Sequence, residues 1–228
     1  MRKLLPFALS LFWLINSAYA QKVLFIGNSL TYSNDLPGIV EELAKDLGEH
    51  IDSQCICLPN YGLEDHWNDG LIQGLISKNK FDYVIFQQGP SSQSYGRSSL
   101  IDYGGKISKL AIENDAKPAY FMVWPSVQYY QTFEGVIKNH TDASQLNKVL
   151  LVRGGEVWKH FHENFEKLSL YQPDQFHPSV TGSFLMALVH IKVLFPSSDL
   201  TSLKYRKFKR WISNEESFNQ MIEVLTNL

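Results

Sequence analysis

Short apolar runs rich in β-branched residues alternate along this chain with longer stretches that carry apolar residues on one side only. That alternation predicts a parallel sheet covered by helices on both faces. Strands are expected at residues 22–26, 51–58, 83–86, 119–124 and 148–152, and helices at 36–47, 64–77, 98–114 and 155–168, with Gly, Pro, Asn or Asp punctuating their ends. A continuous apolar stretch at 178–195, with Pro178 at its first turn and Pro196 just beyond it, reads as one long packed helix. The tail at 197–228 reads as a basic loop and a terminal helix, with Leu200, Leu203, Phe208 and Trp211 as its expected contacts. The stretch 125–147 has weak periodicity and many polar and aromatic residues, so it is expected as a long loop or lid. Right-handed crossovers put the C-terminal ends of all the strands on one side, where active sites of open α/β sheets form.

Residues 1–20 change the picture of where the chain works. Arg2 and Lys3 precede an apolar core at 4–15, and Ala18-Tyr19-Ala20 offers a small-residue exit, the pattern of a secretory signal peptide. The core falls short of the roughly 20 residues that span a bilayer, and no cysteine near the exit could accept a lipid. Cleavage after Ala20 would leave a single soluble domain at 21–228, secreted or periplasmic, and would move the formal charge from −2 to −4 by removing two cations and no anion. Such a balance gives no electrostatic reason to expect nucleic acid or an anionic membrane as partner. With 44% apolar and 13% aromatic residues the chain can bury a substantial core. Cys55 and Cys57 sit two apart on an expected strand, where side chains point in parallel, so they are expected as two small thiols rather than a disulfide. Asn139-His140-Thr141 is a formal glycosylation sequon.

Two short segments carry the candidate chemistry. Val23-Leu24-Phe25-Ile26 runs into Gly27-Asn28-Ser29, which delivers a hydroxyl at the C-terminal end of the first strand. Asp174-Gln175-Phe176-His177 supplies an imidazole with a carboxylate three residues before it. A serine hydroxyl is a poor nucleophile until a base takes its proton, and the base works best when a third group fixes its tautomer. Ser29, His177 and Asp174 fit those roles, provided the fold brings them together.

Gly27-Asn28-Ser29-Leu30-Thr31 resembles the first sequence block of the SGNH/GDSL hydrolases, with Asn in place of the usual Asp, and Asp174-Gln175-Phe176-His177-Pro178 resembles their last block. The resemblance implies a flavodoxin-like, three-layer α/β/α sandwich with a five-stranded parallel sheet, hydrolysing esters or thioesters without a metal or organic cofactor. It implies an oxyanion hole built from the backbone N–H of Ser29, the backbone N–H of Gly62 in Asn60-Tyr61-Gly62, and a third-block side chain. In that third block Gly89-Pro90-Ser91 carries Ser91 where the family has Asn, and Gln88, Gln87 or Gln93 could supply the amide instead, Gln88 being favoured. The expected substrate is a small-molecule or glycan ester, most simply an O-acetylated carbohydrate. A lipolytic esterase or thioesterase and a non-catalytic carbohydrate-binding protein are the rival readings.

Other residues have plainer readings. Glu64-Asp65-His66 reads as an acidic helix start rather than a metal site, because adjacent helical positions diverge. Trp124 is either a pocket wall or core. Tyr129, Tyr130 and Phe133 could stack on sugars or acyl chains in the expected lid, and His160 and His162 read as exposed helix residues. An α/β-hydrolase elbow would need Gly where Thr31 stands.

Overall fold

A computed structural model describes residues 20–165 and 167–227; the expected signal peptide, all but Ala20, lies outside them. Strands β1 (Gln21–Gly27), β2 (Ile51–Cys57), β3 (Tyr83–Phe86), β4 (Lys117–Phe121) and β5 (Leu150–Val152) form one parallel sheet in the order β2-β1-β3-β4-β5. Strand β3 is apolar throughout, and β1 and β4 are so beyond their polar first residues (Gln21, Lys22 and Lys117), because both faces are covered. Val23, Phe25, Tyr83, Ile85, Ala119 and Phe121 enter one core, and Leu24, Ile26, Val84, Phe86 and Tyr120 the other.

Helices α2 (Leu36–Asp46), α7 (Gly154–Asn164), α8 (Val180–Leu194) and α10 (Glu215–Thr226) contribute to the first core, while α3 (Leu63–Asp69), α4 (Leu71–Lys78) and α5 (Ser94–Glu113) contribute to the second. The architecture is the expected α/β/α sandwich. Helix α8 is buried along most of its length because α2 packs on one side and the C-terminal segment on another. Phe184 on α8 meets Phe208, Trp211 and Phe218, and Leu200, Leu203 and Phe208 are buried as expected.

The structure corrects the sequence in four places. The expected helix at 64–77 is two helices, because Gly70 adopts φ +76° between α3 and α4. The long apolar helix starts at Val180 with Ser179 as its N-cap, its hydroxyl accepting from the Gly182 N–H, which leaves Pro178 outside. The stretch 125–147 is no loop: a 3₁₀ segment (Val127–Thr132) leads into α6 (Phe133–Asn147). The buried face of α6 combines Phe133, Val136 and Ala143 with Asn139, His140 and Ser144, and those buried polar residues hide the helical period. The Asn139 amide donates to the Ser91 carbonyl at 2.7 Å, so the sequon asparagine is engaged inside the fold.

The fourth correction is a Cys55–Cys57 disulfide. The two Cα atoms are 5.5 Å apart, a separation that a bridge can span, whereas fully extended strand would hold i and i+2 about 6.6 Å apart. Strand β2 is an edge strand with exposed positions, so it has room to contract locally. On the same strand the Ser53 N–H and hydroxyl both donate to Glu41 of α2, at 2.8 and 2.6 Å.

Candidate active site

The serine turn follows directly from β1. Asn28 ends the strand and caps the one-turn helix α1 (Ser29–Tyr32), its Oδ1 accepting the Leu30 N–H at 3.1 Å while its amide donates to the Tyr61 carbonyl at 2.9 Å. Gln87, just past β3, accepts the Asn28 N–H at 3.1 Å and the Thr31 hydroxyl at 2.9 Å through one oxygen. The buried His66 ring donates from Nε2 to the Gly27 carbonyl at 2.8 Å, and burial holds that imidazole below its ordinary pKa. A side chain at position 27 would have its Cβ 2.6 Å from Gln87 Oε1 and 2.7 Å from Thr31 Oγ1, so only glycine lets these groups close in.

The histidine turn lies between α7 and α8. An antiparallel bridge joins Tyr171 to Pro178, the Gln172 N–H donates to the His177 carbonyl at 2.8 Å, and Gln175 takes φ +61°. The Trp124 indole N–H donates to the Phe176 carbonyl at 3.1 Å, so Trp124 is a buried anchor for this turn, stacked on Trp158, rather than a pocket wall. Asp174 Oδ1 accepts the N–H groups of Phe176 and His177, both at 3.0 Å, and Oδ2 lies 2.6 Å from His177 Nδ1. These bonds, the one to the imidazole above all, hold the Asp174 carboxyl below its ordinary pKa. The other ring nitrogen, Nε2, lies 2.9 Å from Ser29 Oγ. With Nδ1 protonated toward the carboxylate, Nε2 presents its lone pair to the hydroxyl, the geometry a general base needs.

Beside Ser29 opens a cleft of about 370 Å³ whose lining includes Gly62, Gln88, Ser91 and Phe176. The expected oxyanion donors are engaged as follows. Both amide hydrogens of Gln88 are spent, on Ser91 Oγ at 2.7 Å and the Gly96 carbonyl at 3.0 Å, and the Ser91 hydroxyl donates to the Gly89 carbonyl at 2.8 Å. In this arrangement the side-chain hydrogens of Gln88 and Ser91 are engaged within the protein, as is the Gly62 N–H. The Gly62 N–H donates to Asp65 Oδ2 at 2.8 Å, which serves as a cap on α3. The Ser29 N–H, first in its helix, has no intrahelical acceptor.

Glu64, Asp65 and His66 diverge: Glu64 accepts from the Tyr95 and Tyr103 hydroxyls at 2.7 and 2.8 Å, Asp65 caps Gly62, and His66 turns inward to Gly27. Among the described residues no three His, Cys, Asp or Glu side chains converge so as to hold a metal ion, and no helix is long and apolar enough to cross a membrane. Of the aromatic residues expected in a lid, Phe133 is core, Tyr130 donates to Glu163 at 3.0 Å, and Tyr129 is exposed. Gln93 is exposed beside Ser92, His160 is exposed, and His162 is half-buried against Tyr130 and Tyr171. Sequence reasoning missed the work of Gln87 and His66. The available signal was polarity where an apolar strand ends, in Gln87-Gln88 directly after β3.

A scan of protein-family models and a search of curated proteins each find no match to the sequence. Solved structures do match. A protein from Slackia heliotrinireducens, assigned provisionally to the SGNH hydrolases, superposes with a TM-score of 0.65 at 22% identity, over 77% of this chain and 100% of that one. Its fold is that of the SGNH hydrolases. The SGNH fold is shared with a lipase/acylhydrolase from Enterococcus faecalis (TM-score 0.62, 14% identity, 76% of this chain and 95% of that one). A DUF4886 family protein from Bacteroides uniformis also superposes (TM-score 0.67, 16% identity, 82% and 87%). At these identities the likeness establishes the SGNH fold, and the chemistry must be argued from the site.

Proposed function

We propose that this protein is a serine esterase that removes small acyl groups, acetyl in the first instance, from a carbohydrate. The observation that carries the reading is the hydrogen-bonded series Ser29 Oγ, His177 Nε2, His177 Nδ1 and Asp174 Oδ2, at 2.9 and 2.6 Å. In the proposed reaction the Ser29 oxygen attacks the ester carbonyl carbon while His177 Nε2 takes the hydroxyl proton. The ester C–O bond breaks, His177 returns the proton to the leaving alcohol, and an acyl-enzyme remains. Water then attacks the acyl carbon, giving its proton to His177, which passes it to the departing Ser29 oxygen. Asp174 stays ionised and stabilises the imidazolium in both halves.

The developing oxyanion needs donors. The Ser29 N–H is one, and the Gly62 N–H becomes the second when Asp65 gives it up. A short acyl group is supported by the size of the cleft, about 370 Å³, and by the polar groups of Asn28, Gln88 and Ser91 that share its walls with Leu30, Tyr61 and Phe176. Export is proposed with it. Its support is the leader-like segment at 1–20 and the Cys55–Cys57 bridge, since disulfides persist in oxidising compartments.

The test is labelling by a fluorophosphonate probe together with turnover of nitrophenyl acetate. Wild type is expected to do both, to prefer acetate over long-chain esters, and to lose on the order of 10⁵-fold or more in rate on Ser29→Ala. A well-folded wild-type protein that neither labels nor turns over would refute the esterase and favour a binding protein on the same fold.

A further inference from the structure

Phe176, one residue before the base, divides the open edge of the sheet in two. On the Ser29 side is the cleft already described; on the other lies a groove of about 590 Å³ that reaches Asp174 and Phe176 and shares Pro90 with that cleft. A third hollow of about 600 Å³ continues from Gln175 toward Tyr171. The three are neighbours, Pro90 and Phe176 being common to the first two and Gln175 to the last two, and together they exceed what a nitrophenyl ester or a single acyl group would fill.

The middle groove has a particular chemistry. Its flat walls are rings, those of Pro90, Pro125, Phe176 and Tyr129, and its polar groups are the neutral amides and hydroxyls of residues such as Gln93, Gln128, Ser126 and Thr132. Among the described residues that line it, Asp174 carries the one charge, and the imidazole beside it holds that carboxylate. An anionic ligand would find no Lys or Arg there, whereas a ligand with both apolar faces and hydroxyls would use the rings and the amides together. Tyr129 is 56% exposed, unlike its neighbours Tyr130 and Phe133, so its ring is accessible to a ligand in the groove. The neutral side chains of the groove make few hydrogen bonds to one another: Thr132 Oγ1 donates to the Tyr129 carbonyl at 2.7 Å, and Gln93 Nε2 reaches Ser92 Oγ at 3.4 Å.

We infer that this groove is the binding site for the leaving-group side of the substrate, and that it takes a neutral glycan chain with one pyranose ring stacked on Tyr129 and its hydroxyls met by Gln128 and Gln93. A sugar ring presents an apolar C–H face and a rim of hydroxyls, which is the complement of an aromatic plate flanked by amides. The inference deepens the esterase reading and rests on it for the identity of the reacting ester, but not for binding.

The experiment compares Tyr129→Ala and Tyr129→Phe in the full chain. Partly acetylated xylo-oligosaccharides and cello-oligosaccharides serve as glycan substrates and nitrophenyl acetate as the small one. Tyr129→Ala is expected to raise KM for the glycan by roughly ten-fold more than for nitrophenyl acetate, about 1.4 kcal/mol, and Tyr129→Phe, which keeps the plate, to restore most of the loss. Equal effects on both substrates, or none on either, overturn the glycan site while leaving the esterase standing. So does a wild type that hydrolyses nitrophenyl acetate but releases no acetate from any oligosaccharide. If wild type turns over nothing, the esterase reading falls, and calorimetric titration with the same oligosaccharides decides the groove. Saturable binding weakened by Tyr129→Ala supports it, and no binding overturns it.

Discussion

The turn at 27–31 is buried and takes its hydrogen bonds from residues far along the chain, whereas the turn at 172–178 is partly open to water and takes most of its own from within itself. Gln87 lies 59 residues from Asn28 and His66 lies 39 from Gly27. Asp174, by contrast, binds the backbone and ring of His177 three residues away. The serine is thus held by the completed fold, and the histidine by a local loop that Trp124 and the Tyr171–Pro178 bridge merely anchor. Damage should therefore show first as lost stability in one turn and as lost turnover in the other.

Acid should separate the two regions most strongly. His140 and His190 are fully enclosed, each giving Nδ1 to the carbonyl four residues before it (Val136 and Met186), and His190 rests against Phe25 of β1 beneath the serine turn. Burial disfavours the charged ring, so both pKa values fall to about 4. Unfolded imidazoles bind protons from about pH 6.5 downward while the folded ones refuse them, so this stability is complete above that pH and is lost as pH falls toward 4. Two rings amount to about 6 kcal/mol near pH 4. Urea midpoints measured between pH 7 and 4.5 should fall steeply; midpoints that stay level would show that these rings do not control acid stability.

Next in size is Asp174→Asn. The amide keeps an oxygen for the two backbone N–H groups but cannot stabilise an imidazolium. Turnover of nitrophenyl acetate should drop by on the order of 10³–10⁴, about 4–5.5 kcal/mol, while the thermal midpoint moves little because the pair is partly open to solvent. A variant that loses stability instead would make the histidine turn the more structural of the two.

The smallest effect belongs to Gln87→Ala, which leaves the Asn28 N–H and the Thr31 hydroxyl without an acceptor inside the protein. About 2–3 kcal/mol of stability should go, measured by denaturant unfolding, along with roughly ten-fold in kcat and little in KM. Full stability in this variant would mean that the serine turn is held by α1 and Asn28 alone.

The same contrast explains what the sequence disclosed. Asp174-x-x-His177 could be read because its geometry is local, and Gly27-Asn28-Ser29 because a strand ends there. The inner strands were legible from their apolar runs, whereas β2, which carries Asp52, Ser53 and Gln54, is far less apolar. Gln87, His66 and Trp124 were not legible as supports, since each acts on a residue distant in sequence and nothing local marks the pairing. The sequence also could not show how Gln88 and Ser91 are engaged: the Gln88 amide donates to Ser91 and to the Gly96 carbonyl, and the Ser91 hydroxyl to the Gly89 carbonyl. The helix at 133–147 escaped notice because Asn139, His140 and Ser144 are polar residues that the fold buries.

Strand β2 has a consequence beyond the site. An uncovered outer strand invites the backbone of a second molecule, and seven residues would be ample for such templated growth. Glu41 already occupies the Ser53 amide, and the shortened Cys55–Cys57 repeat sets the next outward groups out of step with any straight visitor. An outer strand shortened at this bridge and with one amide already taken is a poorer template for a second molecule than a straight one.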